Sequence, residues 1–384
     1  MRIAVICDVL GDKNNGTSIV AYNLIDFLRQ KGHEVRIVCP DEEHTGEEGY
    51  WVVPKMHFGI FQSYVDRNGV APAKLDKRIL YDAIHDVDLI HVMIPFALGK
   101  AAAKYANQHG IPLTAGFHCQ AENITSHIFL KDSRFANRVT YKILNERLYK
   151  YCDGIHYPTE FIRDTFERIV GTTPHFVISN GVGDEFRPMK AERPEALRDK
   201  YILLFTGRLS REKSHNVLID AVAKSKHRDK IQLFFAGEGP LERELLAHAE
   251  RVGISAPVIK FYSRAKLLNI INMADLYVHP AEIEIEAISC LEAIACGKVP
   301  LIADSPRSAT RFFALSEKNL FKSGDAVDLS HKLDFWLDHP DERKKCSEEY
   351  LGYAERFRLK DCMEAMEDML KKVANEKKKD CLVR

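Results

Sequence analysis

The stretch AEIEIEAISCLEAIACGKVP, residues 281–300, scatters Glu282, Glu284, Glu286 and Glu292 through apolar and small residues. An ionised carboxylate taken out of water costs several kcal/mol unless something pairs with it. Carboxylates in such a setting therefore call for a partner or a ligand. Halfway along, the rhythm changes from strict alternation to helical spacing, which puts Ile288, Leu291 and Ala295 on one apolar face with Glu292 at its flank and Gly297 as the stop. Glu284 and Glu286 stand before or at the helix start, where backbone N–H groups and the dipole favour an anion. Capping alone can explain one of these two, with ordinary exposure as the alternative for the rest; it does not explain Glu292, whose oxygens suit paired hydroxyls such as a ribose diol. From the helix start to Glu292 is about 9 Å at roughly 1.5 Å per residue, comparable with the reach across a diphosphate.

A second group is cationic. FTGRLSREKSHNVLIDA sets Arg208, Arg211 and Lys213 between a strand end and a helix start. There, cations and helix N–H groups can hold a diphosphate and stabilise its charge as it leaves; a solvated basic turn is the alternative. In DVLGDKNNGTSIV, Gly16 precedes a helix and allows close approach of backbone to phosphate, although the pattern is not GxGxxG. His118 ends the strand IPLTAGFH, where it either hydrogen-bonds a sugar hydroxyl or serves the core. The DVD at 86–88 reads better as a turn than as a metal-binding carboxylate pair, and no metal is expected.

These residues need elements to hold them. The chain has 384 residues, 46% hydrophobic and 29% charged, enough for about two domains. Lys+Arg and Asp+Glu are 55 each, so no overall basic field points to nucleic acid. MRIAVICDVL is too short and too soon polar for a signal peptide or a membrane span, and nine scattered cysteines without a CxxC pair fit a reducing cytoplasm. RIAVICDV, the helical SIVAYNLIDFLRQKG and HEVRIVCP make a βαβ unit. The rhythm returns in DLIHVMIP, IPLTAGF, GIHYP and TEFIRDTFERIV, the last with Thr159 as N-cap. After the turn-rich VISNGVGDEFRPMKAERPEALRDK it restarts with YILLFTG, IQLFFAG, VIKFY, DLYVHP and KVPLIAD. The class is α/β, with two doubly wound Rossmann-like domains whose strand ends face a central cleft.

GRLSREK and EIEAISCLEAIACGKVPLIA resemble the signature of retaining GT-B glycosyltransferases, the large family that includes bacterial phosphatidylinositol mannosyltransferases and diacylglycerol glucosyltransferases. NGV at 180–182 and FAGEGPLERELLAHAERVGI are similar to that family too. The resemblance spans nearly the whole chain and is strongest from about residue 176 to 305. It implies an acceptor-binding domain over 1–187, joined by a returning C-terminal helix at about 355–384, and a nucleotide-sugar-binding domain over 188–354. It further implies that Arg208 and Lys213 bind the donor diphosphate, Glu284 the sugar hydroxyls and Glu292 the ribose. Gly16 and His118 would line the N-terminal side, with His118 near the sugar's C6 hydroxyl. His118, Arg208, Lys213 and Glu284 are then the catalytic group; Gly16, Tyr262, Ala287, Ile288 and Glu292 complete the donor site. Two departures stand out: Glu286 and Ala287 replace an aromatic and a glycine found in many members, and Tyr262 replaces a common glycine, which leaves base contacts to backbone atoms.

The same resemblance implies transfer with retention at the anomeric carbon and no required metal or other cofactor. The donor expected is a nucleotide sugar, UDP-glucose first. For the acceptor, residues 131–150 carry six Lys/Arg against two acids, with Arg134, Arg138 and Lys142 forming a stripe beside Phe135 and Val139. Such a stripe suits an anionic bilayer, and is otherwise the solvated face of a half-buried helix. The aromatics of WVVPKMHFGIFQSYV, in a long irregular connector, either touch acyl chains or fill the domain core. The expectation is a cytoplasmic enzyme, peripheral on the inner face of the cell membrane, glycosylating a lipid such as diacylglycerol to an α-glycolipid. A soluble or polysaccharide acceptor, a non-catalytic nucleotide-sugar scaffold, and an epimerase or phosphorylase on a related fold are the competing readings.

Overall fold

The structure is a computed structural model that describes every residue except 12–15, 58, 60, 61, 63–71, 127–129 and 384, and the side chains of 380–383. Two compact units divide the chain, one of Met1–Asn180 with Lys360–Arg384 and one of Gly181–Leu359.

The first unit is built on seven strands: β1 (Arg2–Ile6), β2 (Glu34–Cys39), β3 (Tyr50–Val52), β4 (Leu89–Val92), β5 (Leu113–Gly116), β6 (Gly154–Tyr157) and β7 (His175–Val177). They pair in parallel in the order β3-β2-β1-β4-β5-β6-β7, so the order reverses beside β1. β4, β5 and β6 are buried along their whole length, as strands covered on both faces must be, and they read as continuous apolar runs with a few polar intruders. The helices are α1 (Gly16–Gln30), α2 (Lys77–Ile84), α3 (Ala97–His109), α4 (Ala121–Ser126), α5 (Arg134–Arg147) and α6 (Glu160–Val170). Thr159 caps α6, its hydroxyl accepting from Ile162 N at 3.4 Å. Phe96 cannot cap α3. Asp8, just past β1, does so instead, accepting from Leu98 N at 2.9 Å and Gly99 N at 3.3 Å.

The connector expected to be irregular contains a strand: Tyr50–Val52 pair with β2 in register Ile37↔Tyr50. Trp51 there donates from Nε1 to Asp82 at 2.9 Å and lies under the Arg36 guanidinium. Residues 58, 60, 61 and 63–65 of that connector lie outside the described residues. Asp86 is ion-paired with Arg2 and Arg36, and Asp88 accepts from Arg2 N at 2.8 Å and Lys378 Nζ at 3.1 Å, so the DVD turn ties the start of β1 to β2 and to the final helix.

The second unit carries β8 (Tyr201–Thr206), β9 (Ile231–Ala236), β10 (Val258–Lys260), β11 (Leu276–His279), β12 (Pro300–Asp304) and β13 (Leu320–Lys322) in the parallel order β10-β9-β8-β11-β12-β13. Its helices are α7 (His215–Lys224), α8 (Glu242–Val252), α9 (Arg264–Met273), α10 (Ile288–Ala295), α11 (Ala326–Asp338) and α12 (Pro340–Ala354). Tyr277, Tyr350, Phe205, Phe235 and Phe321 are the bulkiest of the side chains buried completely in its core. The final helix, α13 (Leu359–Val383), packs on the first unit: Glu367 meets His33 at 2.8 Å, Lys377 meets Asp153 at 2.6 Å, and Val373 lies beside Gly154.

Candidate functional site

In the second unit the strand-end loops are locked together. Leu209 N donates to Glu238 O at 2.8 Å, and a Cβ at Gly237 or Gly239 would stand 2.0 Å from Gly207 O or 2.4 Å from Leu209 O. The glycines of AGEGP therefore let one loop lie on the other, and this fixes the path of Arg208 through Lys213. That path ends in a 3₁₀ turn, Arg211–Lys213, with Ser214 left-handed (φ 52°) at the start of α7.

Lys213 Nζ is ion-paired with Glu284, and His279 Nε2 reaches the same carboxylate oxygen at 3.2 Å. The two glutamate partners come from different loops, Lys213 after β8 and His279 at the end of β11. Tyr277 OH links His279 Nδ1 (3.2 Å), Thr206 Oγ1 (3.2 Å) and Ser289 Oγ (3.3 Å) behind them. Burial pushes the Glu284 carboxyl up, but Lys213 and His279 outweigh it and hold the group down at about 2. His279 itself is kept below its usual value by burial, so it is neutral and donates from Nε2. Arg208, on the same loop as Lys213, stands 3.4 Å from Glu212, which also accepts from Ser210 Oγ at 2.5 Å.

Glu292 contrasts with Glu284. No hydrogen bond or ion pair reaches its carboxyl among the described residues, and burial raises it to about 7, opposed by Arg264 and reinforced by Glu185. Arg264 is engaged elsewhere, 2.5 Å from Glu185 and over the Phe186 ring. A half-buried carboxyl on α10 with no partner among the described residues is a site for donors brought by a ligand, and two vicinal hydroxyls fit.

Two expectations about this helix are corrected. α10 begins at Ile288, because Ala287 is left-handed (φ 63°, ψ 64°) and breaks the backbone ladder ahead of it. The rise from helix start to Glu292 is thus about 6 Å, not about 9 Å. The buried side is made by Cys290, Leu291, Ala293 and Ile294, while Ile288 and Ala295 are only half-buried, since α10 is packed between β11 and β12 on one side and α12 on the other. Ala287 has no side chain that could cap the helix, and the Glu284 carboxylate is taken up by Lys213 and His279, so capping does not explain Glu284. Gly297 does end it, with φ 72°. Tyr262 follows β10, half-buried against the unit's core, with its hydroxyl pushed up by burial.

In the first unit, Gly16 opens α1, and among the described residues, its chain neighbours and its own helix backbone aside, no atom lies within 4 Å of the place a Cβ would take. Its neighbours 12–15 lie outside the described residues. His118 lies two residues past β5. Burial, then the neighbouring His156 and His91, hold its imidazole well below the usual value, and its Nε2 has no hydrogen-bond partner among the described residues. The ring is neutral at physiological pH.

Two family models match the chain, Glycosyltransferase Family 4 over residues 14–186 and Glycosyl transferases group 1 over 188–350. The crystal structure of HepE from Anabaena in complex with UDP and glucose superposes with a TM-score of 0.77, covering 97% of this chain and all of that one at 16% identity. The chain is a GT-B glycosyltransferase. Among curated relatives, the α-monoglucosyldiacylglycerol synthase of Streptococcus pneumoniae is 25% identical over 79% of this chain and 71% of its own. The GDP-mannose-dependent α-mannosyltransferase of Corynebacterium glutamicum is 26% identical over 93% and 85%.

The glycosyltransferase also presents a surface outside these loops. α5 is capped by Ser133, whose hydroxyl accepts from Ala136 N at 3.2 Å, and buries Asn137, Tyr141 and Leu144. Its other side leaves Phe135 78% exposed, Val139 38% and Ile143 43%, one turn apart, with Arg134, Arg138 and Lys142 exposed alongside. Lys100 and Lys104 of α3 lie across a shallow groove from Lys142, Arg147 and Lys150. Among the described residues, no helix is long and apolar enough to cross a membrane.

Reasoning from sequence missed His279, Tyr277 and Glu212. A histidine closing an apolar strand looks like a core residue. Its one signal is position, five residues before Glu284 at a strand's carboxyl end, where open α/β sheets bind ligands.

Proposed function

We propose that this glycosyltransferase moves glucose from UDP-glucose to a hydroxyl of a membrane lipid such as diacylglycerol, with retention at the anomeric carbon. Arg208 and Lys213 take the donor diphosphate, Glu284 the sugar hydroxyls, Glu292 the ribose diol, and His118 a hydroxyl of the transferred sugar. Ala287, Ile288 and the backbone near Tyr262 complete the donor's surroundings, and Gly16, without a side chain, allows close approach of the backbone to it. In the transfer the bond from the anomeric carbon to the diphosphate oxygen breaks, its electron pair leaving with the diphosphate. The acceptor oxygen bonds the same carbon from the same face and passes its proton to the departing phosphate oxygen. Arg208, Lys213 and helix N–H groups stabilise the charge that develops there.

The single observation that carries the lipid reading is the row Phe135, Val139 and Ile143, left in water beside Arg134, Arg138 and Lys142. Monomer surfaces seldom keep large apolar side chains aligned in this way without a use, and a basic flank suits anionic headgroups. The glucosyl product named for the pneumococcal relative and the UDP and glucose bound by HepE support the donor; the mannosyltransferase relative makes GDP-mannose the donor to compare. The test is release of nucleotide from UDP-glucose and from GDP-mannose, each with and without diacylglycerol in anionic vesicles. Faster UDP release that depends on the lipid supports the reading. Release from GDP-mannose alone, or indifference to the lipid, refutes it.

A further inference from the structure

Gly116 closes β5, and the imidazole of His118 is folded back over it. A Cβ at Gly116 would stand 2.4 Å from Nε2 and 2.6 Å from Cδ2 of that ring, and the three nearest atoms it would meet all belong to His118. Gly116 does not have a positive φ, so its backbone accepts any residue. The imidazole alone excludes a side chain there.

The backbone that carries the ring is held in place. Phe117, between the two, is fully buried, packs among Tyr149, Tyr157 and Phe166, and donates from its N–H to His156 O at 2.8 Å. Tyr149 OH donates to Gly116 O at 3.2 Å. With the strand end pinned, His118 is thrown to the opposite face from Phe117. On β6, Gly116 is in register with His156, whose ring meets that of His118 edge-on at 5.6 Å and whose Nε2 is tied to Ile178 O at 2.6 Å. On β4, His91 is tied through Nδ1 to Thr114 Oγ1 at 2.9 Å.

We infer that Gly116 is a positioning residue: its missing side chain is the seat, and His156 the side wall, that fix the His118 imidazole in the orientation that meets the donor sugar. Holding a ring in a productive pose before substrate arrives lowers the barrier without any new contact to substrate. The inference rests on the role proposed for His118.

The test compares wild type, Gly116→Ala, His118→Ala and the double variant, with kcat and KM for UDP release from UDP-glucose in diacylglycerol vesicles, and with Tm. Expected is a kcat loss on the order of tenfold or more in Gly116→Ala with KM within about twofold, and no further loss when Gly116→Ala is added to His118→Ala. Gly116→Ala should lower Tm in the wild type but not in the His118→Ala background, where the methyl group has room. Wild-type kcat in Gly116→Ala, or losses that simply multiply in the double variant, overturn the inference. If Gly116→Ala fails to fold, recovery of the fold in the double variant supports the seat, and no recovery overturns it. Full kcat in His118→Ala removes the role of His118, and the positioning role with it. The Tm coupling would still persist in that case, which separates a failed reading of His118 from a failed seat.

Discussion

Glu284 and Glu292 lie eight residues apart and are held in opposite states. Glu284 has Lys213 and His279 and is ionised down to about pH 2. Glu292 has no such partner among the described residues, and burial lifts it from 4.5 to about 7. Between those two values the native protein keeps a proton that the unfolded chain has released. Stability from this group is therefore present below pH 4.5 and lost as pH rises towards 7. Glu292→Gln should raise stability at pH 8 by about 1–3 kcal/mol, with the gain fading below pH 5, while donor use falls; melts at the two pH values with UDP-release kinetics check it. An unchanged melt at pH 8 would mean that water or a neighbour already satisfies the carboxyl. The anomaly of these glutamates was legible from carboxylates set among Ile, Ala and Cys. Their partners were not: Lys213 is 71 positions from Glu284 in the chain and reaches it only because β8 and β11 are neighbours in the sheet.

Elements decide how these side chains are presented. α10 starts from Ala287 in the left-handed region, which costs a residue bearing a Cβ roughly 1 kcal/mol more than glycine. Ala287→Gly should accordingly raise stability by about 0.5–1 kcal/mol in denaturant titration; a loss of that size would show that the alanine methyl packs usefully. On α5, the spacing of Arg134, Arg138 and Lys142 was legible, because residues four apart share a helix face. That Phe135, Val139 and Ile143 stay uncovered was not, since a similar pattern serves a helix buried against a neighbour. Each basic side chain near an anionic bilayer adds roughly 1 kcal/mol. Charge reversal at all three should thus weaken sedimentation with anionic vesicles at low salt and leave Tm and lipid-free donor hydrolysis unchanged. Equal sedimentation of variant and wild type would make the stripe an ordinary solvated face. The short strands β3, β7 and β13 escaped the reading because three residues are too few to show a period; β10, equally short, was legible only because the apolar run VIKFY extends past it.

Across the whole molecule, two repeats of strand and crossover helix were readable because buried parallel strands are nearly uniformly apolar. The docking of α13 on the first unit was not readable from periodicity. It rests on long-range pairs such as His33 with Glu367 and Lys377 with Asp153. A formal charge of zero for the chain likewise conceals the local groups that carry the account, the Arg208 and Lys213 loop and the α5 stripe. If those two cations bring to a diphosphate the charge that a metal would otherwise supply, as proposed, lipid glycosylation should survive a chelator; complete loss restored by magnesium or manganese would contradict this. The most direct measurement follows radiolabel from UDP-glucose into the organic phase of an extraction, with diacylglycerol in anionic vesicles as acceptor. The account predicts a labelled lipid whose glucose is released by an α-glucosidase. Label that stays in the aqueous phase, or a lipid cleaved only by a β-glucosidase, would contradict it.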